Sequence, residues 1–244
     1  MPRYARNDVI MKDLFGKALL DYQSGNYSED LITSTNISDE DELTLPYLFR
    51  DYSEMPKLEQ KALQLAKGTI LDVGCGAGIH SLWLQEKGFE VKAIDSSKGA
   101  VEVSVKRGVI NVELKTLLEE SKTFDTILLL MNGTGIFEEL VQISKYLKHL
   151  KSLLNTNGQI LIDSSDITYM YEDEDGGKWI DLNTSYPGEL DYYISYKEEK
   201  EVPMKWLYLD FKTLESACLL VGLKCQKVMD GTHFDYLAKI TLKK

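Results

Sequence analysis

From Gly68 to Asp163, short unbroken apolar runs alternate with stretches of helical spacing. The pattern predicts strands at 69–73, 90–95, 110–114, 124–130 and 158–163, with helices at 77–87, 98–107 and 138–154 between them. Runs such as Phe124-Asp125-Thr126-Ile127-Leu128-Leu129-Leu130 lack the apolar-polar alternation of a half-exposed strand, so they predict strands covered on both faces, as in a parallel sheet. Asn155-Thr156-Asn157-Gly158 stops the long amphipathic helix. Further on, 211–221 reads as a helix closing at Gly222, and 223–229 and 233–242 read as strands joined by Asp230-Gly231-Thr232. A turn that short forces the last strand antiparallel to its neighbour. The pattern predicts an α/β fold: a doubly wound, mostly parallel seven-stranded sheet with an antiparallel last strand.

Two regions fall outside the alternation. Residues 1–67 hold helix-like material at Met11 to Gln23 and Pro56 to Ala66 among polar connections. Residues 164–205, after the fifth strand, contain Trp179 and six of the 14 tyrosines (Tyr169, Tyr171, Tyr186, Tyr192, Tyr193 and Tyr196), and 190–196 and 203–209 read as the arms of a hairpin. An inserted antiparallel lobe is expected there.

Composition narrows the function classes. The chain has 244 residues, 43% hydrophobic and 27% charged, enough for one large domain with an insertion. Its net charge of -11, concentrated in 164–205, comes without a basic stripe, which argues against nucleic acid. No apolar run approaches the ~20 residues of a membrane span, and Met1-Pro2-Arg3-Tyr4-Ala5-Arg6 lacks a secretory apolar stretch. A cytoplasmic protein is expected, monomeric or homodimeric, with no membrane association. Cys75, Cys218 and Cys225 form no metal-type pair, so no metal site is expected.

Chemistry enters at Asp72-Val73-Gly74-Cys75-Gly76-Ala77-Gly78, where a strand stops in a glycine turn and opens onto a helix. Such turns let backbone N–H groups approach a ligand. The spacing is G-x-G-x-G; the third glycine of the dinucleotide fingerprint G-x-G-x-x-G would fall at Ile79. Asp72 before the first glycine suits a ligand bearing an ammonium group. One βαβ unit later, Glu90-Val91-Lys92-Ala93-Ile94-Asp95 ends in a carboxylate that can accept from both hydroxyls of a ribose.

These two stretches resemble the first motif and the second strand of class I S-adenosylmethionine-dependent methyltransferases. The resemblance implies that family's Rossmann-like fold, over roughly Gly68 to Leu242, and S-adenosylmethionine as cofactor. It further implies methyl transfer to a small-molecule acceptor by in-line displacement. Residues 1–67 are then a helical segment covering the active site, and 68–244 the cofactor-binding domain, with 164–205 as a substrate lid. The expected cofactor contacts are Asp72, Gly74, Cys75, Gly76, Gly78, His80, Asp95, Ser96, Met131 and Asn132. Arg50 is placed either as a clamp on the methionine carboxylate or in a surface ion pair with Asp51 or Glu54. His80 is read as a cofactor contact or as a packed helix-start histidine.

The Met131-Asn132-Gly133-Thr134-Gly135 turn, after the fourth strand, is expected to present Asn132 and flexible backbone to the acceptor. His233, the tyrosines of the insertion and Asp163 are the candidate proton acceptors. Relatives often carry an acidic residue near the adenine; here Lys115 or Thr116 stands in its place, leaving backbone and apolar contacts such as Leu117. Two other accounts compete: a protein that binds the cofactor without methyl transfer, and a nicotinamide-dependent oxidoreductase.

Overall fold

The structure, a computed structural model, describes residues 12–171 and 186–243; Trp179 and most of the acidic stretch of the insertion lie outside the described residues, as do residues 1–11. Helix α1 (Leu14–Gln23) precedes strands β1 (Leu31–Thr35) and β2 (Ser38–Leu43), and α2 (Leu45–Leu48) and α3 (Lys57–Leu65) lead into the alternating unit. That unit runs β3 (Ile70–Val73), α4 (Ile79–Glu86), β4 (Val91–Asp95), α5 (Lys98–Arg107), β5 (Val112–Leu114), β6 (Phe124–Leu129), α6 (Ile143–Ser152) and β7 (Leu154–Ser165). Strands β8 (Glu189–Tyr196), β9 (Glu199–Lys200) and β10 (Met204–Leu207) follow, then α7 (Phe211–Leu220), β11 (Leu223–Asp230) and β12 (Asp235–Leu242).

Seven strands form the main sheet in the order β11-β12-β7-β6-β3-β4-β5. The five from β3 to β7 are mutually parallel, and β12 is antiparallel to both its neighbours. The unbroken apolar runs have their reason in the two covered faces: every residue of β3 and β4 is buried. Successive residues go to opposite sides. Leu71, Ile127 and Ile160 pack with Leu147 and Leu150 of α6 and Leu214 of α7. Their neighbours Ile70, Leu128 and Leu161 pack with Leu58 and Ala62 of α3 and Leu84 of α4. From β3 the chain builds β4 and β5 to one side, then crosses back to β6 and β7 on the other. The loops leaving β3 and β6 therefore diverge and open a crevice at the carboxyl ends of these strands.

The second sheet joins both outlying regions and corrects the expectation of a helical segment for residues 1–67. Its order is β10-β8-β1-β2 with β9 on β8, all antiparallel, so residues 1–67 supply two strands as well as helices. The expected antiparallel insertion is present, with β8 paired to β10, and it is continuous with the N-terminal strands because β8 also pairs with β1 through Ile32 opposite Ser195 and Thr35 opposite Tyr192. The central residues of β2, Asp39 to Glu42, are exposed acids that carry no apolar alternation. Among the described residues β2 pairs only with β1, across the turn at Asn36 and Ile37, so hairpin pairing and not an apolar pattern makes this segment a strand.

Helix α1 joins this sheet to the main one. Asp13, at φ 55, caps α1 by accepting from Gly16 N at 3.1 Å, and it also accepts from Gly99 N of α5 at 2.9 Å. Gly16 and Gly99 touch so closely that a Cβ on Gly99 would lie 2.4 Å from Gly16 backbone. Glu201, before β10, accepts from Lys12 N at 2.9 Å and Leu14 N at 3.2 Å. Among the described residues no helix is long and apolar enough to cross a membrane, and no group of His, Cys, Asp and Glu could hold a metal ion.

Candidate active site at the carboxyl ends of the strands

After β3 the chain turns through Gly74, Gly76 and Gly78, whose φ values of 72, 54 and 78 lie in the left-handed region. The three glycines have different surroundings. A Cβ on Gly74 would meet only Ile136 at 3.5 Å and one on Gly76 only Phe15 at 3.9 Å, so space lies over these two. On Gly78 it would meet Val109 at 2.7 Å and Ser104 at 2.9 Å, which are α5 and its exit. Cys75 turns its side chain away, with Sγ 3.7 Å from Ser104 Oγ, and burial pushes its thiol up out of the titrating range. Only its backbone belongs to the loop.

Asp95 ends β4 beside this loop. One of its oxygens accepts from Gly76 N at 2.9 Å, the other from Ser97 N at 2.8 Å. Burial raises its pKa against the lowering effect of those N–H groups. A carboxylate has about four lone-pair sites, so each oxygen keeps capacity for a hydroxyl donor. Ser96, on the turn after Asp95, is exposed. Asp72 is buried, accepts from Ser81 Oγ at 2.6 Å, and is likewise raised by burial.

Arg50 makes neither expected surface pair. Glu54 is taken up in a capping box with Asp51, and the Arg50 guanidinium is buried against Glu59 of α3, with Nη2 2.5 and 2.6 Å from its two carboxylate oxygens. His80, also buried, sets Nε2 2.8 Å from the same carboxylate. Burial works to raise the Glu59 pKa, but the His80 hydrogen bond and the charges of His80 and Arg50 outweigh it and hold the carboxyl below its ordinary value. Glu59 is absent from the sequence reading, although a signal exists. It stands three and four residues before Ala62 and Leu63, on the apolar face of an amphipathic helix, where a carboxylate needs a partner. Arg50 Nε is buried without a hydrogen-bond partner among the described residues.

The loop after β6 corrects another expectation. Met131 and Asn132, at φ 66 and 59, take the left-handed positions, whereas Gly133 and Gly135 are buried packing points. A Cβ on Gly135 would lie 2.0 Å from the Trp206 indole, and one on Gly133 2.6 Å from Leu129. Their N–H groups are also taken, that of Gly133 by Asp163 and that of Gly135 by Asn132 O. Asn132 Oδ1 accepts from Ser165 Oγ at 2.9 Å. Asp163, placed as a candidate base, is buried and holds the loop by accepting from Met131 N at 3.1 Å and Gly133 N at 2.9 Å.

Burial raises the Asp163 carboxyl to about 6, against the lowering effect of those N–H groups. The unfolded value is about 3.9, so between pH 4 and 6 the folded chain binds more protons than the unfolded one, and the stability this contributes is present at low pH and lost as pH rises through 6. The difference corresponds to about 3 kcal/mol. Urea unfolding of the cofactor-free protein at pH 4 and pH 7 should show a loss of this order that Asp163→Asn lacks; equal losses would place the titration elsewhere.

His233 lies in the turn and not in the last strand, which begins at Asp235. Its N–H donates to Asp235 Oδ1 at 2.8 Å, Phe234 takes φ 60, and the His233 side chain is exposed at the rim. Several tyrosines of the insertion are held structurally. Tyr186 donates to Asp210 at 2.7 Å, Tyr171 to Pro187 O at 2.8 Å and Tyr196 to Asp21 at 3.0 Å. Beyond β5, Lys115 pairs with Glu120 at 3.3 Å, and Thr116 bonds Glu119. Leu117, expected near the adenine, is instead buried in the main core. No local sequence signal marks Phe15, which lies over Gly76, Trp206, which lies against Gly135, or Tyr208; all three are half-buried.

The chemistry of this crevice fits an amino-acid nucleoside. Space lies over Gly74 and Gly76, Asp95 offers acceptors beside it, and the unpaired Nε–H of Arg50 calls for an anionic or carbonyl oxygen. Comparison with known proteins agrees with the geometry. Residues 47–212 match a methyltransferase domain family. The chain is 43% identical to a SAM-dependent methyltransferase from Bacteroides fragilis solved in complex with S-adenosyl-L-homocysteine, with a TM-score of 0.89 and 96% of each chain covered. It is 26% identical over 183 residues to a ubiquinone biosynthesis O-methyltransferase of Pelagibacter ubique, covering 70% of this chain and 73% of the relative. A similarly named protein of Rickettsia prowazekii is 31% identical over 119 residues, and there the match spans 46% of either chain. From the glycine turn to the antiparallel last strand, this chain belongs to the S-adenosylmethionine-dependent methyltransferase family.

Proposed function

We propose that this chain transfers a methyl group from S-adenosylmethionine to a small-molecule acceptor by in-line displacement. The observation that carries the reading is the open loop at Gly74 and Gly76 beside the Asp95 carboxylate, together with the unpartnered Nε of Arg50, which Glu59 ties to His80, two residues past the glycine turn. In this reading Asp95 accepts from the ribose hydroxyls, Arg50 faces the methionine carboxylate, and Asp72 supplies negative charge toward the ammonium. When bound, the cofactor brings a methyl group on a sulfonium, a leaving group that needs no metal.

The chain's own residues have to align the partners and exclude water. Asp163, with both oxygens accepting from backbone N–H, serves as a positioning residue for the Met131 to Gly135 loop and not as the proton acceptor. His233 stands at the exposed rim, so any role in moving a proton is confined to the mouth of the crevice. The O-methyltransferase names of the curated relatives support a small acceptor.

Calorimetric titration with S-adenosylhomocysteine tests the reading. Binding is expected without any for NAD, and Asp95→Ala should weaken it by about 1.5 to 3 kcal/mol, the worth of hydrogen bonds to a charged group. That corresponds to roughly 10- to 150-fold in affinity. Unchanged affinity in a variant that unfolds like the parent removes Asp95 from the site, and binding of NAD alone overturns the proposed function.

A further inference from the structure

We propose that the acceptor is an amine carried on an apolar body, and that Tyr192, Trp206 and Tyr208 form the recess that selects it. The inference rests on the methyltransferase reading and goes beyond it to the class of acceptor.

The recess is built by the second sheet. Cross-strand register sets Met204 opposite Tyr192 and Trp206 opposite Leu190, so Tyr192, Met204 and Trp206 share one face of β8 and β10. Lys205, between them, turns to the other face and pairs with Asp191 at 2.9 Å. The Tyr192 and Trp206 rings are 5.6 Å apart at 33°. Trp206 is fixed against Gly135 of the β6 loop, and Tyr192, Met204, Phe15 and Met131 of that loop all pack against one buried cluster, which includes Ala77 of the glycine turn. This face therefore stands beside both loops that line the cofactor crevice. Yet Phe15, Met131, Tyr192, Met204 and Trp206 are only half-buried, which leaves a wall of large apolar and aromatic surface unfilled. Tyr208, two residues beyond Trp206, is half-buried too, and among the described residues no hydrogen bond engages its phenol.

Charge decides the acceptor. Among the described residues, the cations on these elements are committed elsewhere: Lys197 to Asp21, Lys200 to Glu40, Lys205 to Asp191 and Arg50 to Glu59. Asp163, near the end of β7, has only backbone hydrogen-bond partners among the described residues. A hydroxyl or carboxyl acceptor reacts best as an anion, and nothing described here pairs with one. An amine brings its own lone pair. That pair forms the N–C bond, the C–S bond breaks with its electrons going to sulfur, and the resulting ammonium gives its proton to solvent. The positive nitrogen formed in this step is the charge that aromatic faces and a nearby carboxylate stabilise.

The test is a titration of the full chain saturated with S-adenosylhomocysteine, using benzyltrimethylammonium, benzyl alcohol and phenylacetate as probes. The cation is expected to bind at least tenfold tighter than either other probe. Trp206→Leu and, independently of the Gly135 contact, Tyr208→Leu should each weaken it at least fivefold while S-adenosylhomocysteine affinity stays within twofold. Preference for phenylacetate or benzyl alcohol, or no preference, overturns the amine assignment alone. Variants that bind the cation as tightly as the parent overturn the assigned recess. Failure of the parent chain to bind S-adenosylhomocysteine overturns the methyltransferase reading beneath it.

Discussion

Glu59→Leu is expected to destabilise the protein by about 3 to 5 kcal/mol, the usual result of removing one partner from a buried ion pair. Arg50 and Glu59 are both nearly inaccessible, with side chains 3% and 4% exposed, so water cannot replace the lost carboxylate. The same carboxylate holds His80, and its removal leaves two buried groups unsatisfied where the parent has one unpaired Nε–H. Replacing both members of a buried pair by apolar side chains is often close to neutral. Arg50→Met with Glu59→Leu should therefore regain in urea unfolding the part of the loss that belongs to Arg50, while His80 stays without its partner. Stability and ligand affinity then part company: if Arg50 faces the methionine carboxylate, as proposed, the double variant has lost that N–H donor and should bind S-adenosylhomocysteine poorly. A single variant as stable as the parent would mean that the cluster is hydrated in solution.

This cluster also marks where the sequence stops being legible. Asp72, the three glycines and Asp95 lie on one βαβ unit, and local spacing alone brings them together. Arg50, Glu59 and His80 come from three segments whose meeting depends on how α3 and α4 pack on the sheet. Strands β3, β4, β6 and β7 declare themselves by apolar runs, because both their faces are covered. Strand β2 is acidic and exposed, and β1 finds its second partner in β8, far along the chain, so neither had a local signature. Gly133 and Gly135 illustrate a different limit. A glycine can be required for its φ or for its missing side chain, and sequence cannot separate the two; here Met131 and Asn132 bear the positive φ while the glycines admit Leu129 and Trp206. His233 was displaced from the last strand by the turn that Asp235 caps, a matter of two residues that moves its side chain to solvent.

The same distinction divides the motif glycines and yields opposite expectations for two substitutions. Gly78→Val should cost about 2 to 5 kcal/mol of stability: about 1 to 2 for a left-handed residue with a Cβ, and about 1 to 3 for overpacking. The overpacking arises because the new Cβ would stand 2.7 Å from Val109 and 2.9 Å from Ser104 Oγ. Neither neighbour can withdraw easily, since Ser104 is buried and donates to Gly76 O at 2.9 Å. Gly76→Ala carries the conformational cost alone, because its Cβ would have no atom nearer than Phe15 at 3.9 Å. That Cβ would project into the space beside Asp95, so its main effect should fall on S-adenosylhomocysteine affinity, measured by calorimetry, with a smaller change in the urea midpoint. If instead Gly76→Ala leaves affinity intact while Gly78→Val unfolds no more readily than the parent, the space over Gly76 is not where the nucleoside lies and the close packing of Gly78 is not what holds the loop.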